Sequence, residues 1–140
     1  MKTFKTAREI QALPESIFAS FVDPEKLAQW WGPAGFTNTF QQFQFIEGGK
    51  WSFVMHGPDG GNYSNEAEFV AIVPNEKVVI RHHSQPNFTL TILITKSDKG
   101  SLVQWIQEID NDEIATSIAH IVEPSNEQNL DKLLALVCGK

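Results

Sequence analysis

The sequence predicts an α+β fold: a curved antiparallel sheet, two short helices near its start, and a long C-terminal helix kinked near its middle. Three observations carry this. From Phe36 to Ile109, apolar and polar residues alternate with period two in stretches separated by turn residues. Segments 14–31 and 110–138 instead repeat apolar residues at helical spacing. Where the turns allow pairing, the hairpins place their large apolar residues on one face, as a single sheet over one core requires.

The elements follow in order. Phe4 to Ala12 reads as a first strand, with Phe4, Ile10 and Ala12 in phase. Pro14 opens a short helix carrying Ile17, Phe18, Phe21 and Val22. Asp23-Pro24 restarts the chain as an N-cap followed by proline at the first helical position, and Gly32-Pro33 stops this second helix after Trp30 and Trp31. Phe36 and Phe40 share one phase and Phe43 and Phe45 the other, so a bulge is expected near Gln41-Gln42.

Trp51 to Phe69 forms the central hairpin, turning at Pro58-Asp59-Gly60-Gly61. Glu66 and Glu68 mark its wet face, and on the other face the expected pairs are Trp51 with Phe69, Phe53 with Ala67 and Met55 with Asn65. A turn at Pro74 to Lys77 should set Val78, Ile80 and His82 on the face of Phe69 and Ala71. The turn at Ser97 to Gly100 should oppose Ile94 to Val103, Ile92 to Trp105, Leu90 to Gln107 and Phe88 to Ile109. In the tail, Asp110 with Glu113 resembles a capping box before a stripe of Ile114, Ile118, Ile121 and Val122. Pro124 interrupts, Ser125 with Gln128 can cap a restart, and Leu130, Leu133, Leu134 and Val137 form a second stripe. At about 100° per residue the two stripes are rotated by roughly a third of a turn, so a break or kink is expected at Glu123 to Ser125.

Composition narrows the function. The 140 residues, 41% hydrophobic and 20% charged, suffice for one domain with a core that needs no disulfide or metal staple. Ten Phe, four Trp and one Tyr suit a roomy interior built from large side chains. A net charge of −6 without any Lys/Arg run argues against a nucleic-acid surface. The longest apolar run, Leu133 to Cys138, is too short to cross a bilayer, and the first residues lack the apolar core of a signal peptide, so a cytoplasmic protein is expected. The lone Cys138 excludes an intramolecular disulfide. No spacing of His, Cys, Asp and Glu gathers metal ligands. Gly57 to Gly61 lacks the Gly-Lys-Ser/Thr ending of a phosphate loop, and no serine sits in a Gly-x-Ser-x-Gly elbow. No cofactor, metal or catalytic nucleophile is expected.

Three stretches go further: DPEKLAQWWGPAGFT (Asp23 to Thr37), GGKWSFVMHGPDGGNYSNEAEF (Gly48 to Phe69) and NLDKLLAL (Asn129 to Leu136). With the order strand, two helices, six strands, long helix, they resemble the activator of heat shock protein 90 ATPase homologues within the START-like (SRPBCC) superfamily. The resemblance covers nearly the whole chain. It implies a helix-grip fold, a sheet curled around the C-terminal helix with a cavity between them. It also implies a possible chaperone partner, although the chaperone-activating eukaryotic members carry a further domain not seen in these residues.

Four polar residues fall on the expected inner face: Tyr63, Asn65, His82 and Gln107. Mostly apolar cavities with a few convergent polar groups are how small-molecule sites are built. The alternative is that these four bond one another, backbone or buried water and hold the sheet together. With Trp31, Phe53, Met55, Phe69, Leu90 and Trp105 they form the candidate site for a small hydrophobic or aromatic ligand. His82 is the one inward imidazole and the best acid/base candidate should the chain be an enzyme of the polyketide-cyclase type, while His56 and His83 should face out. Three classes thus remain: ligand binder first, protein-interaction module second, enzyme last. An edge strand in need of cover makes a homodimer plausible, and neither nucleic acid nor membrane is expected as a partner.

Overall fold

The computed structural model describes residues 1–139. Strand β1 (Lys2–Ile10) is followed by helices α1 (Pro14–Val22) and α2 (Pro24–Trp30). Six strands come next: β2 (Thr37–Phe43), β3 (Lys50–His56), β4 (Asn62–Val73), β5 (Lys77–His82), β6 (Phe88–Ser97) and β7 (Gly100–Ile109). Helix α3 (Asp112–Cys138) ends the chain. All strand pairs are antiparallel, in the order β1-β7-β6-β5-β4-β3-β2. This is the helix-grip architecture expected.

Local chemistry explains most boundaries. Asp23 caps α2 by accepting from the Glu25 amide at 2.9 Å, with Pro24 at the first helical position. The β2–β3 register shifts between Phe40 and Gln42, the expected bulge. The β6–β7 hairpin has the anticipated pairs, from Ile94 opposite Val103 to Phe88 opposite Ile109. Gly100, at φ +142°, lets the chain pass so close to β1 that a Cβ there would stand 2.5 Å from the Ile10 carbonyl oxygen.

The central hairpin corrects its expected register by two residues. Trp51 opposes Ala67, Phe53 opposes Asn65 and Met55 opposes Tyr63. The tighter closure has a cause: the Gly57 amide donates to the Gly61 carbonyl at 2.8 Å, and Gly60 takes φ +88° inside the loop. A shift of two leaves every side chain on its expected face. Across β4–β5, Phe69 opposes Ile80 and Ala67 opposes His82, but the register slips between Phe69 and Ala71. Ala71 therefore pairs with Val79 instead of sharing the face of Val78 and Ile80.

Helix α3 also departs from expectation. Asn111, not Asp110, is its cap, accepting from the Ile114 amide at 3.0 Å, while Asp110 is held by Arg81. The helix runs unbroken through Pro124, so the restart at Ser125 does not occur. Proline withdraws the N–H that would bond the His120 carbonyl, but Pro124 and His120 are both exposed and water can serve that carbonyl. The phase change between the stripes is met by two separate clusters. Ala115, Ile118, Ala119 and Val122 pack with Phe4 and Ile109, whereas Leu130 and Leu133 enter the large core with Ile10, Phe21 and Trp30. Ile121, expected inside, is 54% exposed.

Candidate functional site

The site grows from two rows of side chains on the inner face. Trp51, Ala67, His82 and Phe88 stand side by side across β3 to β6, and Phe69, Ile80, Leu90 and Gln107 across β4 to β7. Opposite them lies the α2–β2 loop, with Trp31 buried beneath it, and the middle of α3. Between these walls is a cavity of about 210 Å³.

Eight of the ten expected residues line it: Trp31, Phe53, Met55, Asn65, His82, Leu90, Trp105 and Gln107. Two do not. Tyr63 lies beyond the cavity, 49% exposed, with its ring 6.2 Å from Phe36 near the hairpin turn. Phe69 is fully buried in solid core, stacked 5.4 Å from Trp51 and edge-on 4.9 Å from Phe45. Among the lining residues not anticipated, Trp51 and Phe88 were legible from their strand phase, whereas Pro86, Ser125, Asn126 and Asn129 come from a loop and from α3. Ser125 carries a capping signal in the sequence, which points away from a place in the wall. A hint existed in Asn126 and Asn129, one turn apart beside the Leu130–Leu133 stripe.

The loop is stitched to α3 by side chains. Asn129 accepts from the Gly32 amide at 3.2 Å and donates to the Trp30 carbonyl at 2.9 Å. Gln128 accepts from the Ala34 amide at 3.1 Å. The Lys132 ammonium lies 3.2 Å from the Phe36 carbonyl and 3.4 Å from that of Pro33, and burial holds its pKa below the usual lysine value. Gly32 takes φ +94° at this turn, a conformation that a larger residue would strain.

Among the described residues His82 is the single titratable group in the wall. Its ring stacks on Phe88 at 4.4 Å. Nδ1 donates to the Pro86 carbonyl at 3.0 Å, which orients the ring, and Nε2 lies 2.7 Å from the Asn65 amide. Burial lowers its pKa below the ordinary value of 6.5, outweighing the Pro86 carbonyl, which acts in the opposite sense. The Asn65 oxygen faces Nε2 while its N–H end donates to the Tyr63 carbonyl at 2.9 Å, so turning the amide toward a neutral ring would cost that bond. Among the described residues no acidic side chain bonds His82; its ring nitrogens face the Pro86 carbonyl and the Asn65 oxygen. The other histidines do face out: His83 pairs with Glu68, and His56 bonds Thr39 and Asn62. Among the described residues no group of three His, Cys, Asp or Glu could hold a metal ion.

Across the cavity, the Asn126 amide donates to Gln107 Oε1 at 3.1 Å. Trp51 and Trp105 are buried with their indole N–H groups unbonded, packed against other rings such as Trp31 at 4.9 and 5.8 Å.

The profile of the family described as activator of Hsp90 ATPase homolog 1-like protein matches residues 11–137. The chain belongs to this family. Solved structures agree with the fold of this family member. A protein of Chromobacterium violaceum is 23% identical over 97% of both chains, with a TM-score of 0.86. One from Arthrobacter aurescens is 20% identical, covering 99% of this chain and 87% of its own, at 0.89. The AHSA1 protein of Silicibacter pomeroyi is 22% identical over 98% of both chains, at 0.78. At such identities the likeness is one of fold. No curated protein matches the chain. Among the described residues no helix is long and apolar enough to cross a membrane.

Proposed function

We propose that this family member binds a small hydrophobic or aromatic molecule in the cavity between sheet and C-terminal helix. One observation carries the reading: a cavity of about 210 Å³ with Trp31, Trp51, Phe53 and Trp105 on its apolar side and Asn65, His82, Gln107, Ser125 and Asn126 among its polar groups. An apolar cavity of about 150 Å³ accepts benzene, so this one suits a molecule of one or two rings. Affinity would come from burying apolar ligand surface, roughly 25 cal/mol per Å². Specificity would come from the polar groups, because leaving one unpaired in a wrong complex is unfavourable.

The test is an NMR titration with one- and two-ring aromatics, following amide and indole signals. Saturable shifts at Trp105, His82 and Gln107 support the reading; a well-folded spectrum that no compound moves refutes it. The family's description favours a second reading, contact with a chaperone ATPase. The large exposed apolar residues Leu13, Val22, Ile46, Tyr63, Val70 and Ile121 are spread over α1 and its cap, the β2–β3 loop, β4 and α3, so they argue for it only weakly. Stimulation of a chaperone ATPase by the purified protein would decide in its favour.

A further inference from the structure

We propose that the cavity selects an uncharged ligand whose polar end is amide-like, one hydrogen-bond donor beside one acceptor, on an apolar body of one or two rings. This rests on the cavity reading above and adds the ligand's chemical class.

The first argument is charge. None of the described lining residues is Asp, Glu, Lys or Arg. Three cations on the surrounding elements are engaged elsewhere. Arg81 on β5 grips Asp110 at 2.9 and 2.5 Å, Lys132 sits among loop carbonyls, and Arg8 on β1 holds Glu127 and Asp131. A carboxylate or ammonium brought into the cavity would lose its water and meet no counter-charge, which is strongly unfavourable. His82 offers no fixed charge either: it is buried, stacked on Phe88 and bonded to a carbonyl.

The second argument is the pair Gln107 and Asn126. Each side-chain amide has an N–H end and an oxygen end, and their mutual bond at 3.1 Å uses one of each. Whichever way the two amides are turned, the pair leaves an N–H group and an oxygen without a bond. Gln107 is 9% exposed, and both residues line the cavity, so this donor and acceptor are offered at its wall. A primary amide or lactam edge complements that pair, donor to oxygen and acceptor to N–H. A carboxylate cannot, since it only accepts.

Calorimetric titrations at pH 8 with three compounds of one shape test this: 2-naphthamide, 2-naphthoate and naphthalene. Naphthamide is expected to bind at least about tenfold more tightly than naphthoate. The substitution Gln107→Leu should weaken naphthamide roughly fivefold, the loss of one or two hydrogen bonds, without weakening naphthalene, which meets a more apolar wall. If Gln107→Leu does not fold, Asn126→Ala on the partly exposed helix face should give the same selective loss. Naphthoate binding as tightly as naphthamide, or substitutions that weaken naphthamide and naphthalene alike, would overturn the inference while leaving the cavity reading intact. If none of the three binds to the folded protein, the cavity reading itself fails.

Discussion

Phe69 and Asn65 lie on the same strand and the same face, yet their surroundings differ in kind. Around Phe69 the rings of Trp51, Phe43 and Phe45 close to 4.9–5.7 Å and leave no space. Around Asn65 the chain supplies amides, an imidazole and short side chains, and about 210 Å³ stays open. The sheet is common to both ends, so the difference is one of side chains. Large aromatics in consecutive rows fill the curl, whereas small or polar residues such as Ala67, Asn65 and Gln107 let it gape. The packed end supports the structure so that the other end can be under-filled.

If that division is correct, substitutions at the two ends should separate by magnitude. Phe69→Ala removes a fully buried ring from the packed end and should destabilise by about 3–5 kcal/mol in urea unfolding. A loss below about 1 kcal/mol would show that this end is loose as well. Next comes Asn129→Ala, which strands the buried Gly32 amide and the Trp30 carbonyl. It should destabilise by about 2–3 kcal/mol and release the loop at the cavity wall, visible as new Trp31 indole shifts.

The pH dependence that comes from His82 is a smaller effect and belongs to the open end. His82 has a lowered pKa in the folded state because it is buried. The unfolded chain therefore binds the proton more readily, and stability falls as pH drops below about 6.5, the ordinary histidine value, toward the folded pKa. Chemical denaturation between pH 8 and 5 should show this slope, and His82→Gln should flatten it. An unchanged slope would assign the effect to other groups. The least effect is expected from Asn126→Ala, under about 1 kcal/mol, because water entering the cavity can replace the lost partner of Gln107.

The two ends were not equally legible in the sequence. Strand alternation identified which residues face inward, and Leu90, Trp105 and Gln107 stand where their hairpin requires. Alternation says nothing about distance along a strand, however. Tyr63 and Phe69 have the right parity, but one overshoots the cavity and the other lies behind it. The central register was two residues off because pairing of Gly57 with Gly61 competes with a turn centred one residue later. The helix side was the least readable. Proline and serine at 124 and 125 carry strong local signals for a break, and burial of both half-helices overrides them. Asn111 outcompetes Asp110 for the cap because Arg81 already holds Asp110.

The Asn129 bond to Gly32 has a further use as a gauge. The Gly32 amide is held by a side chain from the far end of the sequence, so its hydrogen can exchange with solvent only when the C-terminal half of α3 lifts or the loop swings away. Its exchange rate thus reads the opening of the cavity wall directly. A molecule that settles inside should slow the exchange of this one amide more than that of amides in the packed end, whose protection already follows global unfolding.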